Sequence, residues 1–185
     1  MRKSNVANII TSLRIVGAAA LFFFKLKSIH FLVIYSLCGL SDVLDGTVAR
    51  AMHIQSDDGA RLDSIADLIF YCVMLIKVIP ALWGNVSAFV WIFAGVVIAL
   101  RCAAYITAAA KYRLFASVHT YLNKLTGLAV FILPYLMAVT ERHTLICITV
   151  CSIGFAASLE ELLIHIVSEN YSQSNKMLIT AIKNR

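Results

Sequence analysis

A chain of 185 residues that is 61% hydrophobic and only 14% charged lies far from soluble domains, in which about 25% of residues are charged. Apolar runs of the ~20 residues needed to cross a ~30 Å hydrocarbon core recur along it, so its class is integral membrane protein. The formal net charge of +6 does not mark a nucleic-acid partner, because no basic patch is interleaved with aromatic residues.

Six spans are expected, at approximately 8–27, 29–50, 60–82, 86–110, 118–139 and 143–166. The fold class that follows is an all-α integral membrane protein of six transmembrane helices, with residues 1–185 forming one domain. The opening MRKSNVANIITSLRIVGAAALFFFK has the basic start and small residues of a signal peptide. Arg14, however, interrupts its apolar region, and FFF follows AAA where a cleaved peptide would end, so it reads as a retained helix. Residues before Ala7 are free to lie flat at the interface. Pro80 falls near the end of the third span and helps to end it. Pro134 falls inside the fifth, where it removes a backbone hydrogen bond. The five cysteines are scattered through the spans and read as small packing residues. From Ser168 the tail is polar, then amphipathic, and suits the inner interface.

The basic residues set the orientation, since Lys and Arg accumulate in cytoplasmic connections. With the N-terminus inside, Lys25, Lys27, Lys77 and Arg142 map to the outer half and the other twelve of the 16 to the inner half. Both termini and the connection between spans two and three therefore face the cytoplasm, in a multi-pass protein of the plasma membrane.

All six aspartates, Asp42, Asp45, Asp57, Asp58, Asp63 and Asp67, crowd around that connection. Asp42 and Asp45 are three apart at the inner end of span two, and Asp63 and Asp67 are four apart at the start of span three. Each pair therefore shares a helix face. The connection Ala51–Gly59 is short enough to make the two helices antiparallel neighbours, whose faces can converge on one cytoplasmic-side site between helices 2 and 3. Four carboxylates in a partly desolvated site force protonation unless compensated. Two divalent cations cancel their charge, and oxygen ligands suit Mg²⁺ or Mn²⁺. Gly46 and Ala49 leave one helix side bare, and Arg50 offers a fork for phosphate oxygens. Gly59 allows a tight entry into span three. Asp57 and Asp58 are explained as solvated or capping acids.

Written out, Asp42-x₂-Asp45-Gly46-x₂-Ala49-Arg50-x₈-Gly59-x₃-Asp63-x₃-Asp67 resembles, position for position, the signature of the CDP-alcohol phosphatidyltransferase family. The resemblance implies a transferase of phospholipid biosynthesis that moves a phosphatidyl group from CDP-diacylglycerol to a polar alcohol and releases CMP. It further implies that Asp42, Asp45, Asp63 and Asp67 hold two metal ions and that Asp67 is also the general base. Gly46, Ala49, Arg50, Ser56 and Gly59 would bind the CDP-alcohol. A homodimer in the lipid bilayer is implied as well.

Asn8, Thr11 and Arg14 form an N-x-x-T-x-x-R pattern similar to the opening helix of phosphatidylglycerophosphate synthases, whose acceptor is glycerol 3-phosphate. A phosphorylated acceptor needs cations, and Arg101, Lys111, Arg113 and Lys124 lie near the expected inner mouth. Arg101 stands out because an ionisable group within a span is costly and faces a cavity. Those synthases usually carry an Arg-Glu pair in span four, whereas here Arg101 precedes Cys102, so serine, inositol phosphate or another alcohol stays open as acceptor. Glu160 or Glu161, toward the inner end of span six, can face the polar pocket. The non-enzymatic alternative, a small cation carrier, would place its carboxylates near mid-membrane and often in pseudo-symmetric halves.

Overall fold

In a computed structural model of the protein, the described backbone covers residues 2–51, 57–113 and 120–168, with side chains described for 11–41, 65–113 and 120–168. It is helical throughout, with no strand among the described residues. The helices are α1 (Arg2–Leu21), α2 (Ile29–Ala51), α3 (Asp57–Leu82), α4 (Ala88–Tyr112), α5 (Tyr121–Val139) and α6 (His143–Val167). Among the described residues, four segments are long and apolar enough to cross a membrane: Ile65–Leu82 and the whole of α4, α5 and α6. The described apolar parts of α1 and α2, Thr11–Leu21 and Ile29–Ser41, are shorter. The protein is thus an all-α, multi-pass membrane protein. Large apolar side chains such as Phe23, Ile92, Ile106 and Val139 are exposed, as expected where lipid is the solvent.

Six helices fall where the six spans were expected, with shifted ends, and four of them carry the segments long and apolar enough to cross a membrane among the described residues. The first span was expected to reach residue 27, but α1 stops at Leu21. There the amides of Phe22, Phe23 and Phe24 turn to carbonyls three residues back. The ammonium of Lys77 on α3 then donates to the carbonyls of Phe22 and Phe24. A lysine on those carbonyls satisfies groups that the helix end leaves orphaned. At the other end, α1 is helical from Arg2. Of the connection expected over Ala51–Gly59, both ends are helix: α2 runs through Ala51 and α3 begins at Asp57, which puts Asp57, Asp58 and Gly59 inside α3. Acidic residues in a first turn complement the positive end of the helix dipole. Pro80 lies inside α3 and Pro134 inside α5, where it is buried.

By its contacts the chain divides into two compact units, residues 1–83 and 84–185. In the first, α1 packs on both α2 and α3. Thr11, Arg14, Ala18 and Leu21 are all buried, and their three- and four-residue spacing makes them one face of α1. Pairings of residues 14 and 17 of α1 with 38 and 34 of α2 make those helices antiparallel. Tyr35 of α2 stacks on Phe70 of α3 with centroids 5.5 Å apart. A Cβ at Gly17 would lie 2.7 Å from the buried Cys38 Sγ, so Gly17 sets how closely α1 approaches α2. Gly17→Ala is expected to cost about 1–3 kcal/mol by overpacking. Thermal unfolding in detergent checks it: Cys38→Ala in the same chain should restore much of the loss.

In the second unit α6 packs on both α4 and α5. Contacts between 87 and 144, 93 and 155, and 112 and 168 advance together, so α4 and α6 run parallel. A Cβ at Gly154 would lie 3.3 Å from Val97 Cγ1 and 3.6 Å from Thr126 Cγ2, so α6 packs closely on both α4 and α5 at that glycine. Hydroxyls along these helices turn back to carbonyls four residues earlier, as Thr126 does to Leu122 and Ser158 to Gly154. Such bonds meet a polar group's needs without water.

Candidate functional site

The aspartate motif lies on two continuous helices: 42, 45, 46, 49 and 50 on α2, and 59, 63 and 67 on α3. The three- and four-residue spacings are thus helical spacings in fact. The side chains of Asp42, Asp45, Ala49, Arg50 and Asp63, and what surrounds Gly46 and Gly59, lie outside the described residues, as does Ser56 entirely. Among the described residues no three His, Cys, Asp or Glu side chains gather as a metal cluster.

Asp67 is described, and it has a partner that sequence reasoning did not assign. Arg14 Nη1 of α1 donates to Asp67 Oδ1 at 2.8 Å. The arginine side chain is 1% exposed and the aspartate 41%. A guanidinium held away from water needs a counter-charge, since an uncompensated buried charge costs several kcal/mol. The carboxylate supplies it while keeping a solvent-facing side. Thr11, one turn earlier on the same face, is buried too. Two members of the N-x-x-T-x-x-R pattern therefore belong to the inward face of α1, and the third, Asn8, lies outside the described side chains.

The second unit holds a polar cluster within its apolar helices. Arg101 on α4 donates through Nη1 to Asn123 Oδ1 at 2.9 Å and to Glu161 Oε2 in a short contact. Asn123 Nδ2 donates to the same Oε2 at 3.0 Å. Glu161 is completely buried, and Arg101 is 24% exposed. The α5 start builds one side of the cluster: Thr120 caps the helix by accepting from the Asn123 amide at 3.1 Å, which fixes Asn123 in the first turn. The positive end of the α5 dipole therefore lies beside the Glu161 carboxylate. His165 Nε2 stands 3.9 Å from the other oxygen, Glu161 Oε1.

The other basic candidates have separate surroundings. Lys111 donates to the carbonyls of His165 and Ile166 at 3.0 and 2.9 Å, and Tyr112 Oη donates to Ser168 O at 2.7 Å. Together they tie the end of α4 to the last turn of α6. Arg113 is the α4 C-cap, in the left-handed conformation at φ 56°. The ammonium of Lys124 lies 5.9 Å from the Tyr121 ring centroid, the distance of a cation–π contact. Sequence reasoning noticed Arg101 and Glu161 separately but missed Asn123. A signal for the Arg101–Glu161 pair was there: a span-four cation and a span-six acid, both costly in hydrocarbon, call for each other.

These features define a helical membrane enzyme class whose acidic motif sits on two neighbouring helices in sequence. The CDP-alcohol phosphatidyltransferase family model matches residues 4–159, running through both units. The chain belongs to that family and is a CDP-alcohol phosphatidyltransferase. Its activity is transfer of a phosphatidyl group from a CDP-alcohol, in phospholipid biosynthesis at a membrane. Members are generally dependent on divalent cations. No match is found among curated proteins or among solved structures.

Proposed function

We propose that the protein transfers the phosphatidyl group of CDP-diacylglycerol to glycerol 3-phosphate, releasing CMP, in the manner of a phosphatidylglycerophosphate synthase. The observation that carries the reading is the eight-residue aspartate motif on α2 and α3 within the span matched by the family. The same chemistry with serine, inositol phosphate or another alcohol is the alternative for the acceptor.

In this reading residues 1–185 act as one domain, with six spans, the site between α2 and α3 at the cytoplasmic face of the plasma membrane, and both termini inside. The chain works as a homodimer. Asp42, Asp45, Asp63 and Asp67 form a donor set made only of carboxylate oxygen, which fits two hard divalent cations, Mg²⁺ or Mn²⁺. Such ions, when bound, offset the charge of the diphosphate and of the departing CMP. Gly46, Ala49, Arg50, Ser56 and Gly59 hold the CDP-alcohol, with the guanidinium of Arg50 on phosphate oxygen. Asp67 takes the proton of the acceptor hydroxyl. The hydroxyl oxygen then bonds to the phosphorus that carries diacylglycerol, and the bond from that phosphorus to the CMP oxygen breaks. Arg101, Lys111, Arg113 and Lys124 serve the acceptor side, with Arg101 the principal contact.

CMP release by purified protein from CDP-diacylglycerol with Mg²⁺ or Mn²⁺ tests the reading across glycerol 3-phosphate, serine, inositol phosphate and inositol. Release with glycerol 3-phosphate alone supports the full assignment. Release with another acceptor moves the assignment to that alcohol and keeps the mechanism. Release with none, under either metal, removes this donor and these acceptors.

A further inference from the structure

Arg101 is an unusual residue for the interior of an apolar helix. It lies thirteen residues into α4, a helix whose other charged residue, Lys111, is in its last turn. Topology and interfacial anchoring account for Lys111; they do not account for Arg101, which is costly at that depth unless it is compensated and used.

The compensation is unsymmetrical. A guanidinium has five N–H donors: two on Nη1, two on Nη2 and one on Nε. Both Nη1 donors are taken, one by Asn123 Oδ1 and one by Glu161 Oε2. Among the described residues Nη2 and Nε donate to nothing, and about a quarter of the side chain is accessible. The two acceptors are themselves fixed. Asn123 is set in the first turn of α5 by the Thr120 cap and bonds Glu161. Glu161 has no accessible surface and packs beside His165, which is also buried. The arginine is therefore clamped by one nitrogen from two neighbouring helices, while its opposite edge, Nε with Nη2, is left as a flat two-donor fork. That edge matches two oxygens of a phosphate or carboxylate.

We propose that Asn123 and Glu161 are positioning residues which hold Arg101 by Nη1 so that its Nε–Nη2 edge binds the oxyanion of the acceptor alcohol. The inference rests on the transfer reaction proposed above and deepens it by naming what aims the acceptor contact. Glu161 has a second effect. Its negative charge offsets that of Arg101, so the fork binds through directed hydrogen bonds with little excess charge, which favours an acceptor oxyanion of matching shape over anions in general.

The test compares Arg101→Lys, Asn123→Ala and Glu161→Gln with the wild type, all as full chains in detergent micelles. Steady-state CMP release is measured at varied acceptor and varied CDP-diacylglycerol, with whichever acceptor of the panel supports release. A lysine lacks the fork, so Arg101→Lys should raise the acceptor KM by roughly tenfold or more. Asn123→Ala removes one anchor and should raise it by roughly fivefold. Both should leave the donor KM within about twofold, since uniform damage to the fold would move both constants. Glu161→Gln should leave the acceptor KM at or below wild type, because the carboxamide oxygen still accepts from Nη1 and a nearby negative charge has gone.

An acceptor KM that does not respond to Arg101→Lys or Asn123→Ala overturns the proposal, as does an equal rise in donor KM. Release supported only by an acceptor without an oxyanion, such as inositol, also overturns it. Calorimetric titration of glycerol 3-phosphate into the protein without donor separates the two readings. Binding that weakens in Arg101→Lys and Asn123→Ala, with no CMP release from the wild type, keeps the positioning role and removes the transfer reaction. Release whose acceptor KM is the same in all four proteins keeps the reaction and removes the positioning role.

Discussion

Asp67→Asn is expected to lower CMP release by about 10²–10⁴-fold, the range attributable to a positioned general base, while leaving the protein folded. The asparagine is chosen for what it preserves. Its carboxamide oxygen can still accept from Arg14 Nη1, which reaches Asp67 Oδ1 at 2.8 Å, so the buried arginine keeps a hydrogen-bond partner of the same shape. What it removes is the negative charge and the ability to take a proton from the acceptor hydroxyl. Rate measurements and thermal unfolding on the same preparation separate these effects. Collapse of both rate and stability would mean that Asp67 serves chiefly as the counter-ion of Arg14. Loss of rate alone that raised Mg²⁺ or Mn²⁺ does not relieve supports the role of base, whereas loss relieved by added metal would assign Asp67 chiefly to the metal site. A variant retaining more than about a tenth of wild-type activity would remove Asp67 as the base.

The Arg14–Asp67 pair also shows where sequence reasoning stopped. Helix spacing put Asp63 and Asp67 on one face, and α3 has that geometry. The pattern joining Asn8, Thr11 and Arg14 suggested an acceptor class, but spacing alone gave it no physical role. The role appears once α1 packs against α3 and joins residues 53 positions apart, a pairing that no local period encodes. Helix existence was legible because runs of apolar residues between short polar connections leave the backbone few options in lipid. Helix ends were less so. The stop of α1 at Leu21 depends on Lys77, a residue of another helix, reaching the carbonyls of Phe22 and Phe24. In the second unit, Arg101 and Glu161 each stood out as charges in apolar spans, yet the parallel course of α4 and α6 was needed to pair them. Asn123 carried no signal of its own: an asparagine three residues after a threonine reads as part of a helix start, and here it is that and a clamp as well.

Glu161→Leu is expected to be the most destabilising single change in the second unit, costing about 3–5 kcal/mol, the range for breaking a buried ion pair by removing one partner. Glu161 has no accessible surface. Its loss leaves one Nη1 donor of Arg101 and one Nδ2 donor of Asn123 without the oxygen they share, in surroundings where a buried donor left unmet costs about 1–3 kcal/mol. Leucine fills the space, so the cost is electrostatic more than volumetric. Arg101 is partly exposed and can turn toward water, which pulls the expected value toward the lower end of the range. The companion change Arg101→Met tests the origin of the loss. If the pair is the cause, Glu161→Leu together with Arg101→Met should recover most of the stability, because replacing a whole buried ion pair by apolar groups is often neutral or stabilising. Thermal unfolding of the four proteins in one detergent gives the coupling directly. A double variant no more stable than Glu161→Leu alone would locate the damage in packing around α6 and not in the charge left on Arg101.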